Sequence, residues 1–151
     1  MSRGGTDPSE GDLILRPEMI VQEIEPFGPL SVFIIDDFLL RNKCYLDYCQ
    51  GGNSMAYSNW KGLMKPRMLI LAKSVQPEWD FIKLHETREY NKMDREGWPY
   101  PKAHRYANVG EKEARDDPSK LAALLDAELD ILNSPRQSKF SGVAKIIRKP
   151  A

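Results

Sequence analysis

The sequence has few cysteines, no excess of either charge and no long apolar run. Its 151 residues include 22 basic and 22 acidic side chains, for a net charge of zero, and only two cysteines. This balance gives no support for electrostatic binding to nucleic acid or to a membrane surface. A transmembrane helix needs about 20 mostly apolar residues, and the sequence has no such run. We therefore predict no nucleic-acid partner and no association with membranes.

The cysteines and the N-terminal residues indicate the cellular compartment in which the protein works. Four residues separate Cys44 from Cys49, whereas metal and redox pairs usually have the spacing Cys-x-x-Cys. Without an export signal, this pair predicts two reduced thiols, with a metal or redox pair as the alternative. The opening MSRGGTDPSEGD lacks the apolar segment of a secretory signal. We predict a flexible tail over residues 1–12 and a cytoplasmic protein.

The hydrophobic pattern changes near residue 74. Before it, LSVFIIDD (30–37) and RMLILAK (67–73) are short apolar runs typical of strands. Residues 13–28 predict a further edge strand, because they contain two prolines, and Asp36 and Asp37 are predicted turn residues. After residue 74 the periodicity is helical. We predict one α+β domain over residues 13–133, with a small antiparallel sheet followed by a helical hairpin and a C-terminal helix.

The first predicted helix spans about residues 74–96 and ends before Gly97 and Pro99. Steps of about 100° per residue place one stripe of side chains toward the core. That stripe includes His85 and Glu89 together with Glu78, Ile82 and Met93. The helix is therefore predicted to point an imidazole and a carboxylate inward.

The second predicted helix, over about residues 101–115, shows the same anomaly. One face carries His104 and Glu111 among four smaller or aromatic residues, Tyr100, Ala103, Ala107 and Ala114. Alanine side chains let two helix backbones approach closely. We therefore predict that His104 and Glu111 reach across the helix pair toward His85 and Glu89.

Imidazoles and carboxylates that face a core are costly unless something satisfies them, because buried like charges raise one another's pKa and unpaired charges lose their hydration. A divalent cation removes both penalties. His85 and Glu89 are four residues apart, one helical turn, which suits two ligands of a single tetrahedral ion. The alternative is a surface network in which His85 and Glu89 pair with Arg88, Arg95 or Arg105.

The role of each residue follows from this spacing. His85, Glu89 and His104 are predicted ligands of Zn²⁺, and Glu111 is either a fourth ligand or the partner that orients His104. Glu86 lies about 100° around the helix from His85, beside the metal. In His-Glu-x-x-His metallohydrolases that glutamate is the general base, so Glu86 is the predicted catalytic residue.

The pattern resembles a group of small proteins, many from bacteriophages and bacteria. Their signature is His-Glu-x-x-Glu, a methionine eight residues after the histidine, and then Tyr-x-x-Ala-His-x-x-Ala-x-x-x-Glu. HETREYNKM (85–93) and YPKAHRYANVGE (100–111) match this signature, and VFIIDDFLLR, GGN and KPRMLILAK resemble segments upstream of it. The resemblance spans about residues 30–113, although Asp37 stands where a glycine is usual and the strand lacks a tryptophan. It implies a zinc-peptidase-like site and a bacterial or phage-infected cell.

The C-terminal third carries no such chemistry. DDPSKLAALLDAELDILN (116–133) predicts a third helix whose leucine face either packs on the domain or forms a homodimer contact. Residues 134–151 predict a basic tail or a late edge strand. The leading hypothesis is a zinc-dependent hydrolase with a peptide or protein substrate. The alternative is a non-catalytic interaction module in which the same residues hold a structural metal or form a buried ion-pair network.

Overall fold

The computed structural model describes residues 14–43, 50–57, 61–62 and 66–135. The predicted tail (1–12), both cysteines and nearly all of the basic C-terminal segment lie outside these residues. The strands are β1 (Ile14–Leu15), β2 (Ile20–Phe27), β3 (Leu30–Ile35), β4 (Gly51–Asn53), β5 (Lys61–Gly62) and β6 (Met68–Ala72). The helices are α1 (Asp37–Lys43), α2 (Trp79–Glu96), α3 (Tyr100–Asp116) and α4 (Leu121–Asn133), with 3₁₀ helices at Pro17–Met19, Lys73–Glu78 and Pro118–Lys120.

The α+β class is confirmed, but the main sheet is mixed. Its strand order is β2-β3-β6-β4, with β2–β3 and β6–β4 antiparallel and β3–β6 parallel. The predicted all-antiparallel sheet is therefore wrong for one pair. A parallel pair needs a long crossover connection, and the segment between Ile35 and Met68 supplies it. β1 and β5 form a separate parallel pair.

Central strand β6 divides the core into two layers. All five of its residues are buried, as expected for a strand covered on both faces. Leu69 and Leu71 pack with Ile82 of α2 and Leu132 of α4. Met68, Ile70 and Ala72 face the other layer, whose remaining buried members are Leu15, Met19, Ile35, Leu40, Ala56 and Tyr57. Helices α2 and α4 thus cover one face of the sheet.

Helix α1 replaces the predicted turn at Asp36 and Asp37. The Asp36 carboxylate accepts a hydrogen bond from the backbone N–H of Leu39, the position of an N-cap. Asp37 is buried and accepts hydrogen bonds from the backbone and hydroxyl of Ser74. Helix α2 begins only at Trp79, after a 3₁₀ segment, and not near residue 74 as predicted.

The predicted helical hairpin and C-terminal helix are confirmed with small changes of boundary. Gly97 ends α2 in a left-handed conformation, with φ +70°, and α3 begins three residues later. On α4, Leu132 is buried, whereas Leu121, Leu124, Leu125 and Leu129 are half-buried, so the predicted dimer contact stays a prediction. Among the described residues, no helix has the length and apolar character needed to cross a bilayer.

Candidate metal centre

Helix α2 buries His85 and Glu89, which the periodicity pointed inward, and also Glu86 beside them. His85, Glu86 and Glu89 are 8%, 7% and 2% exposed. The facing surface of α3 consists of small residues, and Ala103, Ala107, Gly110 and Ala114 are all buried. This close helix pair brings the predicted ligands of the two helices together.

Three of the predicted ligands converge on one point. The Glu89 Oε2 atom lies 2.8 Å from His104 Nδ1 and 3.5 Å from His85 Nε2. One donor atom from each of the three residues lies within 4.8 Å of the other two. The two imidazole rings meet edge to face, with centroids 4.9 Å apart. The arrangement fits a single ion bound by two imidazoles and a carboxylate, which is the ligand chemistry of hydrolytic zinc sites.

Glu111 lies on the opposite nitrogen of His85. Its Oε1 atom is 2.9 Å from His85 Nδ1. Among the described residues, His85 Nδ1 has no partner with hydrogen-bond geometry. The contact is therefore an ion pair without a well-directed hydrogen bond. The other oxygen, Oε2, accepts a hydrogen bond of 2.8 Å from Arg115 Nε. The described contact therefore joins Glu111 to His85, whereas the sequence predicted that it binds the metal or orients His104. A carboxylate behind a metal-binding imidazole fixes the orientation of the ring.

Tyr100 contacts the other histidine. Its hydroxyl lies 3.2 Å from His104 Nδ1, and the two rings stack with centroids 5.1 Å apart. His104 is the most exposed of the three candidate ligands. Stacking therefore limits the orientations open to the more exposed imidazole.

Glu86, the predicted general base, lines a pocket beside these groups. The pocket has a volume of about 170 Å³ and is lined by Gln50, Gly51, Ile82, His85, Glu86, His104, Asn108 and Glu111. It holds several water-sized molecules by volume. A carboxylate and both imidazoles therefore border the same solvent-accessible space.

Asn53 is a site residue that the sequence analysis missed. It is fully buried, and its Nδ2 atom donates to Glu86 Oε1 at 2.8 Å and to Glu89 Oε1 at 3.0 Å. It lies more than 30 residues from either glutamate in sequence, so helical periodicity gives no signal for it. The only signal was the Gly-Gly pair before it, which marks a strand that closely approaches another element.

Negative charge dominates the electrostatics of the site. Burial lowers the pKa of His85, but ion pairs with Glu111 and Glu89 and the charge of Glu86 outweigh burial and raise it to about 10. Burial raises the pKa of Glu89, but contacts with His104 and His85 outweigh it, so the net shift is downward. The pKa of Glu111 is lowered in the same way by His85 and Arg115. Without a metal, the His85 imidazole is therefore protonated at neutral pH.

The donor set fits a divalent cation. An imidazole whose pKa is raised by surrounding carboxylates occupies a place where positive charge is strongly favoured. A metal ion supplies more positive charge than a proton and binds the neutral imidazole, so binding displaces the proton. In that exchange the Glu89 oxygen between the two imidazoles would serve as a third ligand.

No protein-family model, curated protein or solved structure matches the chain. The resemblance to the His-Glu-x-x-Glu proteins therefore stays a prediction.

Proposed function

We propose that the protein is a zinc-dependent hydrolase that cleaves peptide bonds. One observation carries the proposal: donor atoms of His85, Glu89 and His104 converge beside a pocket that Glu86 also lines. Three protein ligands leave a position for water, which is the arrangement of catalytic zinc sites. The peptide substrate and a cytoplasmic location in a bacterial or phage-infected cell rest on the sequence resemblance alone.

Each residue then has a separate task. His85, Glu89 and His104 hold the ion, and Glu111 orients the His85 ring through Nδ1. Bound zinc lowers the pKa of a coordinated water toward neutrality. Glu86 accepts a proton on its carboxylate from the attacking water and delivers it to the leaving amine. Glu86 is 7% exposed and lines the pocket in which the attacking water would lie.

A second candidate is a non-catalytic protein with a buried ion-pair network. The observation that favours it is the set of contacts already made without a cation: Glu89 with both histidines, and Glu111 with His85 and Arg115. These pairs satisfy much of the buried charge. Metal binding distinguishes the two candidates, because an ion-pair network gains nothing from zinc. A non-catalytic protein could also hold a structural zinc ion. Such a site would have four protein ligands and no bound water.

The comparison of Glu86→Gln with His85→Ala tests the proposed function. Glutamine keeps the size of Glu86 and an oxygen that can accept from Asn53, but it cannot take a proton. We expect Glu86→Gln to retain zinc and lose about 10²- to 10⁴-fold in turnover on a fluorogenic peptide library. His85→Ala is expected to lose both zinc and turnover.

The outcomes separate the roles. Loss of zinc from Glu86→Gln would make Glu86 a ligand. Retention of both zinc and activity would move the general base to another residue, with Glu111 the next candidate. A zinc-loaded parent that cleaves no member of the library would contradict the peptidase proposal and favour a structural site.

A further inference from the structure

The Asn53 side chain bridges the two carboxylates of α2 from a different element. It is the last residue of β4, is 0% exposed, and lies 2.8 Å from Glu86 Oε1 and 3.0 Å from Glu89 Oε1 through Nδ2. An amide nitrogen has two hydrogens. Each hydrogen therefore has one carboxylate oxygen as its acceptor.

The orientation of this amide is fixed by the turn that follows β4. Its Oδ1 atom accepts hydrogen bonds from the backbone N–H groups of Met55 at 3.0 Å and Ala56 at 2.8 Å. A backbone N–H can only donate, so the oxygen must face the turn. The NH₂ group must then face Glu86 and Glu89, where Nδ2 also lies 3.5 Å from the Glu86 backbone oxygen. The amide cannot flip without losing these contacts.

The two glycines before Asn53 bring β4 close enough to α2 for these contacts. A Cβ at Gly51 would lie 2.6 Å from Ile82 Cγ2 and 3.4 Å from Glu86 Cγ. A Cβ at Gly52 would lie 2.5 Å from the Tyr57 ring. Any larger residue at either position would push the strand from its neighbours, which explains the Gly-Gly-Asn sequence in physical terms.

We infer that Asn53 is a positioning residue that makes Glu89 a one-oxygen metal ligand and holds Glu86 beside the metal. The inference rests on the proposed function. A carboxylate can bind a metal through one oxygen or both. Because Asn53 occupies Oε1 of Glu89, only Oε2 is left for the ion, and Oε2 is the atom that lies 2.8 Å from His104 Nδ1 and 3.5 Å from His85 Nε2. One-oxygen binding keeps a coordination position for water.

Cobalt-loaded protein tests this inference without any substrate. Four-coordinate Co²⁺ absorbs visible light more strongly than five-coordinate Co²⁺, so the spectrum reports whether Glu89 binds through one oxygen or two. Asn53→Asp keeps an oxygen acceptor for Met55 and Ala56 but replaces the donor with an oxygen that repels the carboxylates. Asn53→Ala removes both functions. Gln22→Glu is the control for added charge, because Gln22 is exposed on β2 and does not line this pocket.

We expect both Asn53 variants to lose visible absorption intensity relative to the parent, because Oε1 of Glu89 is released to the metal. Gln22→Glu should keep the parent spectrum. If Asn53 only supports the turn, Asn53→Asp will also keep the parent spectrum, and that result overturns the inference while leaving the metal site in place. A parent protein that binds no cobalt would instead contradict the proposed function and the inference together.

Discussion

Helix α2 carries two buried polar clusters that differ in their balance of charge. The arginine cluster consists of Arg88, Asn91 and Glu128. Arg88 donates twice to the Tyr106 carbonyl and lies 3.7 Å from the Glu128 carboxylate. Asn91 donates to the same carboxylate and to its backbone oxygen. One cation faces one anion, so the cluster is neutral by itself.

The acidic cluster, in contrast, sets three carboxylates against one arginine and two imidazoles. It consists of His85, Glu86, Glu89, His104 and Glu111, with Arg115 at its outer edge. The positive charge of an imidazole is a proton that a metal ion can replace, and a pocket opens beside the cluster. No comparable demand for positive charge exists at the arginine cluster. The comparison separates a polar cluster that fixes helix packing from one suited to bind a cation.

The largest expected effect on stability comes from breaking the arginine cluster. Arg88→Met leaves Glu128, which is 3% exposed, without its cation. Breaking a buried pair in this way costs about 3–5 kcal/mol, measured as the free energy of unfolding in denaturant. Zinc content per folded molecule should not change, because Arg88 belongs to the neutral cluster.

Arg105→Met is the matched control for that change. Arg105 is exposed on α3, and removal of such a side chain typically changes stability by less than about 0.5 kcal/mol. Similar unfolding free energies for Arg88→Met and Arg105→Met would show that the arginine cluster does not stabilise the fold.

A medium effect is expected from Ala107→Leu, which overpacks the interface of α2 and α3. Ala107 is fully buried, and extra methylene groups in a packed core cost about 1–3 kcal/mol. Moving α3 outward withdraws His104 from Glu89, so the affinity for zinc should also fall. Val109→Leu on the same helix is the control, because Val109 is 65% exposed. An Ala107→Leu protein with parental zinc affinity would show that close approach of the helices is not needed.

The last prediction concerns the pH dependence of the metal-free protein. The pKa of His85 is raised from 6.5 to about 10, so its stabilising contribution is complete below the unfolded pKa and is lost as pH rises through about 10. The free energy of unfolding should therefore fall between neutral pH and pH 10, and this fall should be absent in His85→Gln. Zinc affinity should rise over the same window, because zinc needs the neutral imidazole. A His85 resonance that titrates near 6.5 in metal-free protein would contradict this assignment.

Helical periodicity predicted most of the acidic cluster because its members repeat within two helices. His85 and Glu89 are one turn apart, and the buried alanines of α3 marked the face that carries His104. The same reasoning brought Glu111 toward His85 and Glu89 but assigned it to His104 as the histidine that it orients. The histidine nitrogen that Glu111 contacts depends on how α3 is rotated about its axis relative to α2. The residue pattern of one helix does not determine that rotation.

The features that the sequence did not predict depend on contacts between distant residues or on local hydrogen bonds that compete with one another. Asn53 reaches the site because β4 pairs with β6 and its glycines allow a close approach to α2. The parallel pairing of β3 with β6 likewise depends on a crossover of about 30 residues. The short helix α1 forms where Asp36 caps its N-terminus by accepting from the Leu39 N–H, and where buried Asp37 accepts from the Ser74 hydroxyl. These contacts are between residues far apart in sequence or depend on competing local hydrogen bonds.

Metal content tests the central claim most directly. Protein purified without a metal-affinity tag should contain about one equivalent of zinc by elemental analysis, and His104→Ala should contain much less. Zinc added back to chelator-stripped parent should raise its thermal stability, since a ligand at 100-fold above its Kd stabilises the folded state by about 2.7 kcal/mol. Parent protein that carries no transition metal and shows no thermal shift with zinc would contradict the metal site.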